Sequence, residues 1–238
     1  HGVSIVNVGH TGLRRFARIF QRREPDKDGV ITVPVACVAD MDVMPDCAPA
    51  LIGKVKEGDS WPDKAKRGWR AKSDFTEEKM AARREGIRQR ASGQYVESFV
   101  SDEWTLEYDL AYSGLVEDVW IAAHLARAGD RINAGTRGKG AVEKVAKRRF
   151  EVLTAQNPPK DQLASKVYAL FTTGKEASKA IAAQYLSERL ERRVKDGELT
   201  AETLKACLPL YLVTAIEYVA PFSGENGAAK QNEAEAHE

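Results

Sequence analysis

Two pairs of carboxylates carry the chemistry that this sequence can do. Asp40 and Asp42 stand one residue apart where an apolar run, Pro34 to Ala39, ends. Glu107 and Asp109 repeat the spacing in "WTLEYDLAY". Carboxylates held together repel, and the pKa of one rises unless a cation intervenes. Oxygen donors of this kind suit Mg²⁺ or Mn²⁺. On an extended chain alternate residues point the same way, so either pair would converge on one ion. On a helix Glu107 and Asp109 would diverge by about 200°, and only one would reach a shared metal. A DxD spacing also occurs in ordinary surface loops. The strand-like run ahead of Asp40 sets this one apart.

Lys175 follows a glycine at an expected helix start, where an ammonium would stabilise charge developing on a phosphate. Lys179, one turn on, is the alternative. His10 follows an expected strand, near the edge of such a site, whereas His124 reads as helix packing. There is no HExxH, no zinc-type Cys/His spacing and no Walker A motif. Cys37, Cys47 and Cys207 form no CxxC, and Cys37 reads as a buried thiol in a protein of the reducing cytoplasm.

The basic residues indicate a partner. The net charge of the 238 residues is only +1, which excludes a globally basic protein but not local patches. Asp63 to Arg90 holds ten Lys/Arg against five Asp/Glu, and Arg137 to Arg149 six against one. Arg14, Arg15 and Arg18 line one face of the first helix, and Lys72, Lys147 and Arg148 belong to the two runs. Such residues hold a phosphate backbone, as DNA would require, or simply solvate a helix.

These side chains need elements to position them. "VSIVNVG" reads as a strand, the segment after it as a helix with Leu13, Phe16, Ala17 and Phe20 on one face, and Pro34 to Ala39 as a second strand. That order predicts a βαβ unit and a parallel sheet. A charged helix capped by Asp74 or Thr76 should run to about Arg90, followed by a strand in "GQYVESFVS". From Leu115 onward the periodicity is helical, with breaks at Gly129, Pro158-Pro159 and Gly197, a cap at Thr200 and a kink at Pro209. The polar tail after Phe222 reads as disordered. No segment reaches the roughly 20 apolar residues that a membrane span needs.

Four stretches, "VNVGHTGLRRFARIFQ", "PVACVADMDVMPD", "RAKSDFT" and "FVSDEWTLEYDLAYSGL", resemble the C-terminal region of class 2 OLD (overcoming lysogenization defect) nucleases. The resemblance covers Val3 to Leu190 and is most specific in the first 115 residues. It implies an α/β fold: a Toprim-like catalytic core, mainly parallel sheet flanked by helices, in residues 1–112. A mainly helical region in 113–222 and the tail in 223–238 complete the expected organisation. It implies DNA hydrolysis with two divalent metals, Mg²⁺ or Mn²⁺, in a site that Ca²⁺ can also occupy. Carried over by motif, Asp40, Asp42, Glu107 and Asp109 are catalytic metal ligands. Ser73 and Asp74 fall in the matching "KSDF" segment, and Lys175 falls at the family's active-site lysine. The family's first Toprim glutamate belongs to a strand upstream of "VSIVNVG". The family also carries an upstream ABC-type ATPase domain that regulates cleavage and supports dimerisation, and it acts in phage defence.

Two other readings fit the same residues. A haloacid-dehalogenase-type phosphatase also uses a DxD after an apolar strand, although Met44 stands where that motif has Thr or Val. A non-catalytic DNA-binding or assembly module with a degenerate Toprim core is the other.

Overall fold

The computed structural model describes residues 3–220, without the side chains of residues 9–11. The expected disordered tail and the His10 side chain lie outside the described residues. The chain begins with α1 (Gly9–Ala17), α2 (Pro25–Asp28), β1 (Val35–Ala39), α3 (Ala48–Leu51), α4 (Glu77–Arg88) and β2 (Val96–Val100). It continues with α5 (Leu106–Leu110), a π-helical turn (Ala111–Leu115), α6 (Val116–Arg127), α7 (Gly129–Asn133) and α8 (Lys139–Thr154). The last four helices are α9 (Lys160–Tyr168), α10 (Lys179–Lys195), α11 (Ala201–Cys207) and α12 (Leu210–Val219). They form two compact units that interleave along the chain, so one unit takes up both the loop after β1 and most of the helices.

The first unit comprises residues 3–39, 78–100 and 210–220. β1 and β2 pair in parallel, from Val35 opposite Val96 to Ala39 opposite Val100. A parallel pair needs a crossover, and α4 lies in the connection between these strands. Val96, Ser98 and Val100 of β2 are buried, alternating with half-buried neighbours. Two strands alone are marginal in water. Here α12 packs on both of them, and Ala17, Cys37, Ala91 and Val96 form a small core with Leu13, Phe20 and Val35.

The strand expected in "VSIVNVG" does not form: residues 3–8 have no regular structure, and Ile5 is 94% exposed. β-branched residues favour an extended chain, but a strand also needs a neighbour to receive its backbone hydrogen bonds. No strand pairs with residues 3–8 among the described residues. The parallel connection is therefore β1–α4–β2, not residues 3–9, α1 and β1. The α/β class holds, with helices dominating and a sheet of two strands among the described residues.

The second unit comprises residues 40–77 and 101–209. Its centre is α6, buried on most faces through Val119, Ile121, Ala122, Ala123, Leu125 and Ala126. Such a helix must be wrapped by others, and α8, α9 and α10 do so. Asp118, 3% exposed at its side chain, receives Arg189 and Arg193 and ties α6 to α10. Thr200 caps α11 as expected, whereas Pro209, expected to kink one last helix, lies between two separate helices, α11 and α12. The three cysteines are free, and Cys37 is buried.

Candidate active site: carboxylates beyond the first strand

Position begins with Trp104. Its ring packs against Tyr108 and Tyr168, with centroids 5.5 and 4.2 Å away. Its backbone N–H donates to Asp109 Oδ1 at 3.0 Å. Its carbonyl accepts the N–H groups of both Met41 (3.0 Å) and Asp42 (3.2 Å). One buried aromatic residue thus anchors the loop that carries Asp40 and Asp42. Asp42 has φ 56°, in the left-handed region that a non-glycine residue enters at a cost. Asp and Asn tolerate that region better than most, and the hydrogen bonds of Met41 and Asp42 to the Trp104 carbonyl hold the backbone there.

Asp40 Oδ1 accepts the Leu106 N–H, at the start of α5, at 3.1 Å. Crowding by the surrounding protein raises its carboxyl to about 6; the Leu106 bond opposes this, Glu107 and Asp42 add repulsion, and Lys179 pulls it back. Asp40 still has an exposed surface, so water screens part of the penalty. Glu107 is bound by Lys179 Nζ at 2.9 Å, with side chains 17% and 52% exposed. Burial acts against the Lys179 charge, but Glu107 first, then Tyr168 and Asp40, outweigh it and raise its pKa. Lys179 opens α10 behind the Ser178 cap, and its ammonium lies 5.7 Å from the Tyr168 ring centre.

Asp40, Asp42, Glu107 and Lys179 therefore come together; several other predicted residues do not join them. Asp109 is 1% exposed and turns inward. It accepts Ser101 Oγ at 2.6 Å and the N–H groups of Glu103 and Trp104, and burial raises its pKa against these bonds. The segment is helical, so Glu107 and Asp109 diverge as the 3.6-residue period requires. Asp109 is a brace for the Trp104 loop, not a partner of Asp40.

Lys175 stands apart as well. Its helix starts at Lys179, later than Gly174 suggests, and Lys175 lies in the preceding turn facing Asp130 at 3.6 Å. Asp74 is enclosed by its ion pair with Arg67 and accepts the Ala71 N–H at 2.8 Å. Ser73 donates its N–H to Asp46 at 3.0 Å. Asp74 is thus engaged away from Asp40, and the Ser73 backbone is tied to Asp46. Lys72 pairs with Glu103, whereas Arg14, Arg15, Arg18, Lys147 and Arg148 are exposed and make no ion pair with a described residue. Trp61 and Trp69, interleaved with the basic run, pack edge to face at 5.2 Å under the Arg67 guanidinium, and so belong to the core.

Asp40, Asp42 and Glu107 are hard oxygen donors, and Asp40 carries the repulsion that a divalent cation would relieve. Among the described residues no three acidic, histidine or cysteine side chains converge into a ready-made cage. Mg²⁺ does not require one, because it keeps several waters and combines one or two carboxylates with substrate phosphates. The donor chemistry fits such an ion. Lys179 was legible only as an alternative to Lys175. The signal for it was Ser178, a better helix cap than Gly174. No family model, no curated protein and no solved structure matches the chain.

Proposed function

We propose that the chain is a divalent-metal-dependent DNA endonuclease domain, hydrolysing phosphodiesters at Asp40. The observation that supports it best is the meeting of Asp40, Asp42 and Glu107 with the ammonium of Lys179. Asp40, with Asp42 or Glu107 beside it, would hold the metal, the remaining positions going to water and substrate phosphate. When bound, Mg²⁺ or Mn²⁺ supplies Lewis acidity toward a phosphoryl oxygen and activates water. Lys179 orients Glu107 and offers its charge to the phosphate as negative charge builds there. Trp104 and Asp109 fix the geometry without touching substrate. The unpaired arginines and lysines of α1 and α8 hold DNA by its backbone, with little sequence preference. The finer identity, a Toprim core of a class 2 OLD nuclease with two metals, an upstream ATPase, dimerisation and a cytoplasmic role in phage defence, rests on the sequence resemblance.

Plasmid nicking by the natural full-length protein, with Mg²⁺, Mn²⁺, Ca²⁺ or EDTA, tests this reading. Cleavage should need Mg²⁺ or Mn²⁺ and vanish in Asp40→Asn. Lys179→Ala should lower it by about 100-fold, the scale for losing one charge-stabilising donor, while Lys175→Ala stays near the parent. Equal activity of Asp40→Asn would sink the proposal. Hydrolysis of phosphate monoesters without nicking would favour the phosphatase.

A further inference from the structure

A second charged feature lies within the helical unit, and the carboxylate site does not use it. A hollow of about 220 Å³ is lined by Arg127, Arg131, Arg137, Arg149, Lys175 and His124, over an apolar floor that includes Val142 and Val145. Arg127 is engaged: its guanidinium donates to the carbonyls of Leu170 (3.1 Å) and Thr173 (2.6 Å). Arg131, Arg137 and Arg149 make no side-chain hydrogen bond or ion pair with another described residue. The acidic neighbours are few. Asp130 faces Lys175 at 3.6 Å, and Glu176 acts on Arg127 from a distance. His124 Nε2 is buried without a hydrogen-bond partner, and its ring packs edge-on to Trp120 at 4.6 Å.

Positive groups gathered around one concavity repel one another, and a concave wall focuses their field on its interior. An anion reverses that balance. Guanidinium groups match phosphate oxygens in pairs, which a point charge does not. Sites for drug-sized ligands run to about 300–1,000 Å³. This hollow is smaller, and suits a phosphate or diphosphate group better than a whole nucleotide.

We propose that this hollow binds a phosphate or diphosphate group through Arg131, Arg137, Arg149 and Lys175, with Arg127 holding the wall in place. The group is either a free phosphate or the terminal phosphate of a nucleic-acid strand. The site stands independently of the reading of the carboxylates: it uses none of their residues and needs no metal.

Titration calorimetry of the full chain with inorganic phosphate and with pyrophosphate, in EDTA and at low salt, tests it. Pyrophosphate should bind saturably at one site and more tightly than phosphate. Arg131→Ala with Arg149→Ala should weaken it by at least about tenfold, the scale for losing charge-assisted bonds. Both arginines are exposed, so the melting temperature should hold, and Arg149→Lys should restore only part of the affinity. Lys179→Ala should leave pyrophosphate binding intact, which separates this hollow from the carboxylate site. Absence of saturable binding up to about 10 mM, or equal binding by the double variant, overturns the proposal. Competition then separates the sources. Displacement of pyrophosphate by a 5′-phosphorylated but not a 5′-hydroxyl oligonucleotide supports a strand terminus, and displacement by neither supports free phosphate.

Discussion

Asp40 and Asp109 are both aspartates with raised pKa values, and they do opposite work. Asp40 keeps an exposed surface, and its pKa is raised first by burial of the rest of the group and then by repulsion from Glu107 and Asp42. Its folded pKa, about 6 against an ordinary 3.8, means that the folded state binds the proton more readily. Stability from this group is therefore highest at low pH and falls as pH rises through that window. Asp40→Asn should raise the melting temperature at pH 7.5 in EDTA while it removes cleavage. Added Mg²⁺ should stabilise the parent and not the variant. Asp109 faces inward and braces Trp104, so Asp109→Ala should do the reverse. It strips acceptors from Ser101 and two backbone N–H groups, at about 1–3 kcal/mol for each one left unsatisfied in the interior. It should lower cleavage only in proportion to the disturbed loop. His124 titrates with the opposite sign from Asp40. Burial first, then Arg149 and Arg127, depress it to about 4, so the protein loses stability as pH falls from 6.5 toward that value. His124→Phe should flatten the acid side of the pH–stability curve. An unchanged slope would place the acid sensitivity elsewhere.

At the scale of elements, the site depends on contacts between segments distant in the sequence. The loop after β1 is held by the Trp104 carbonyl, by the Leu106 N–H on Asp40 and by backbone bonds of Met44 with Arg70 and Lys72, and α10 delivers Lys179 from a distant part of the chain. The α6–α10 pairing therefore sets the position of the Lys179 ammonium beside Glu107. Asp118 joins that pair by accepting two arginines at a buried position. Removing one member of a buried ion pair typically costs about 3–5 kcal/mol. Asp118→Ala, read by chemical denaturation, should approach the lower end because Arg189 and Arg193 can turn to water. A second check lies at the π-helical turn. A Cβ on Gly114 would sit 3.0 Å from Cys207 Cα and 3.1 Å from its Sγ. Gly114→Ala must push α11 away, and overpacking of this kind costs about 1–3 kcal/mol. A variant as stable as the parent would show that α11 yields freely.

For the whole molecule, the two units differ in the cores they bury. One rests on a two-stranded sheet and a core of four buried residues, including Ala17, Cys37 and Val96. The other wraps α6 in helices and encloses a far larger cluster around Trp104, Tyr108, Leu115 and Val167. Resistance to local opening follows buried apolar contact. Amide hydrogen exchange should show the strongest protection in α6 and the facing parts of α8 and α10, with β1 and β2 opening earlier. Uniform protection across both would mean that the units unfold as one cooperative body.

Local pattern by itself determined most of the helices, their caps and breaks, and the strand that leads to Asp40, and it singled out the carboxylates as candidates for chemistry. Those features rest on period, propensity and turn chemistry within a dozen residues, all of which a sequence displays. Tertiary structure decided the rest. Whether residues 3–8 form a strand depends on a neighbour to hydrogen-bond, which β-branched composition cannot supply. The parting of Glu107 and Asp109 followed from the helical state of one short segment. Lys179 rather than Lys175 meets Glu107 because α10 starts at Lys179, behind the Ser178 cap, and packs on α6. The arginines of the phosphate hollow lie on different helices, α6 to α8 and their links, and only packing brings them to one concavity. Charge and spacing indicate which side chains can do chemistry; long-range packing determines which of them meet.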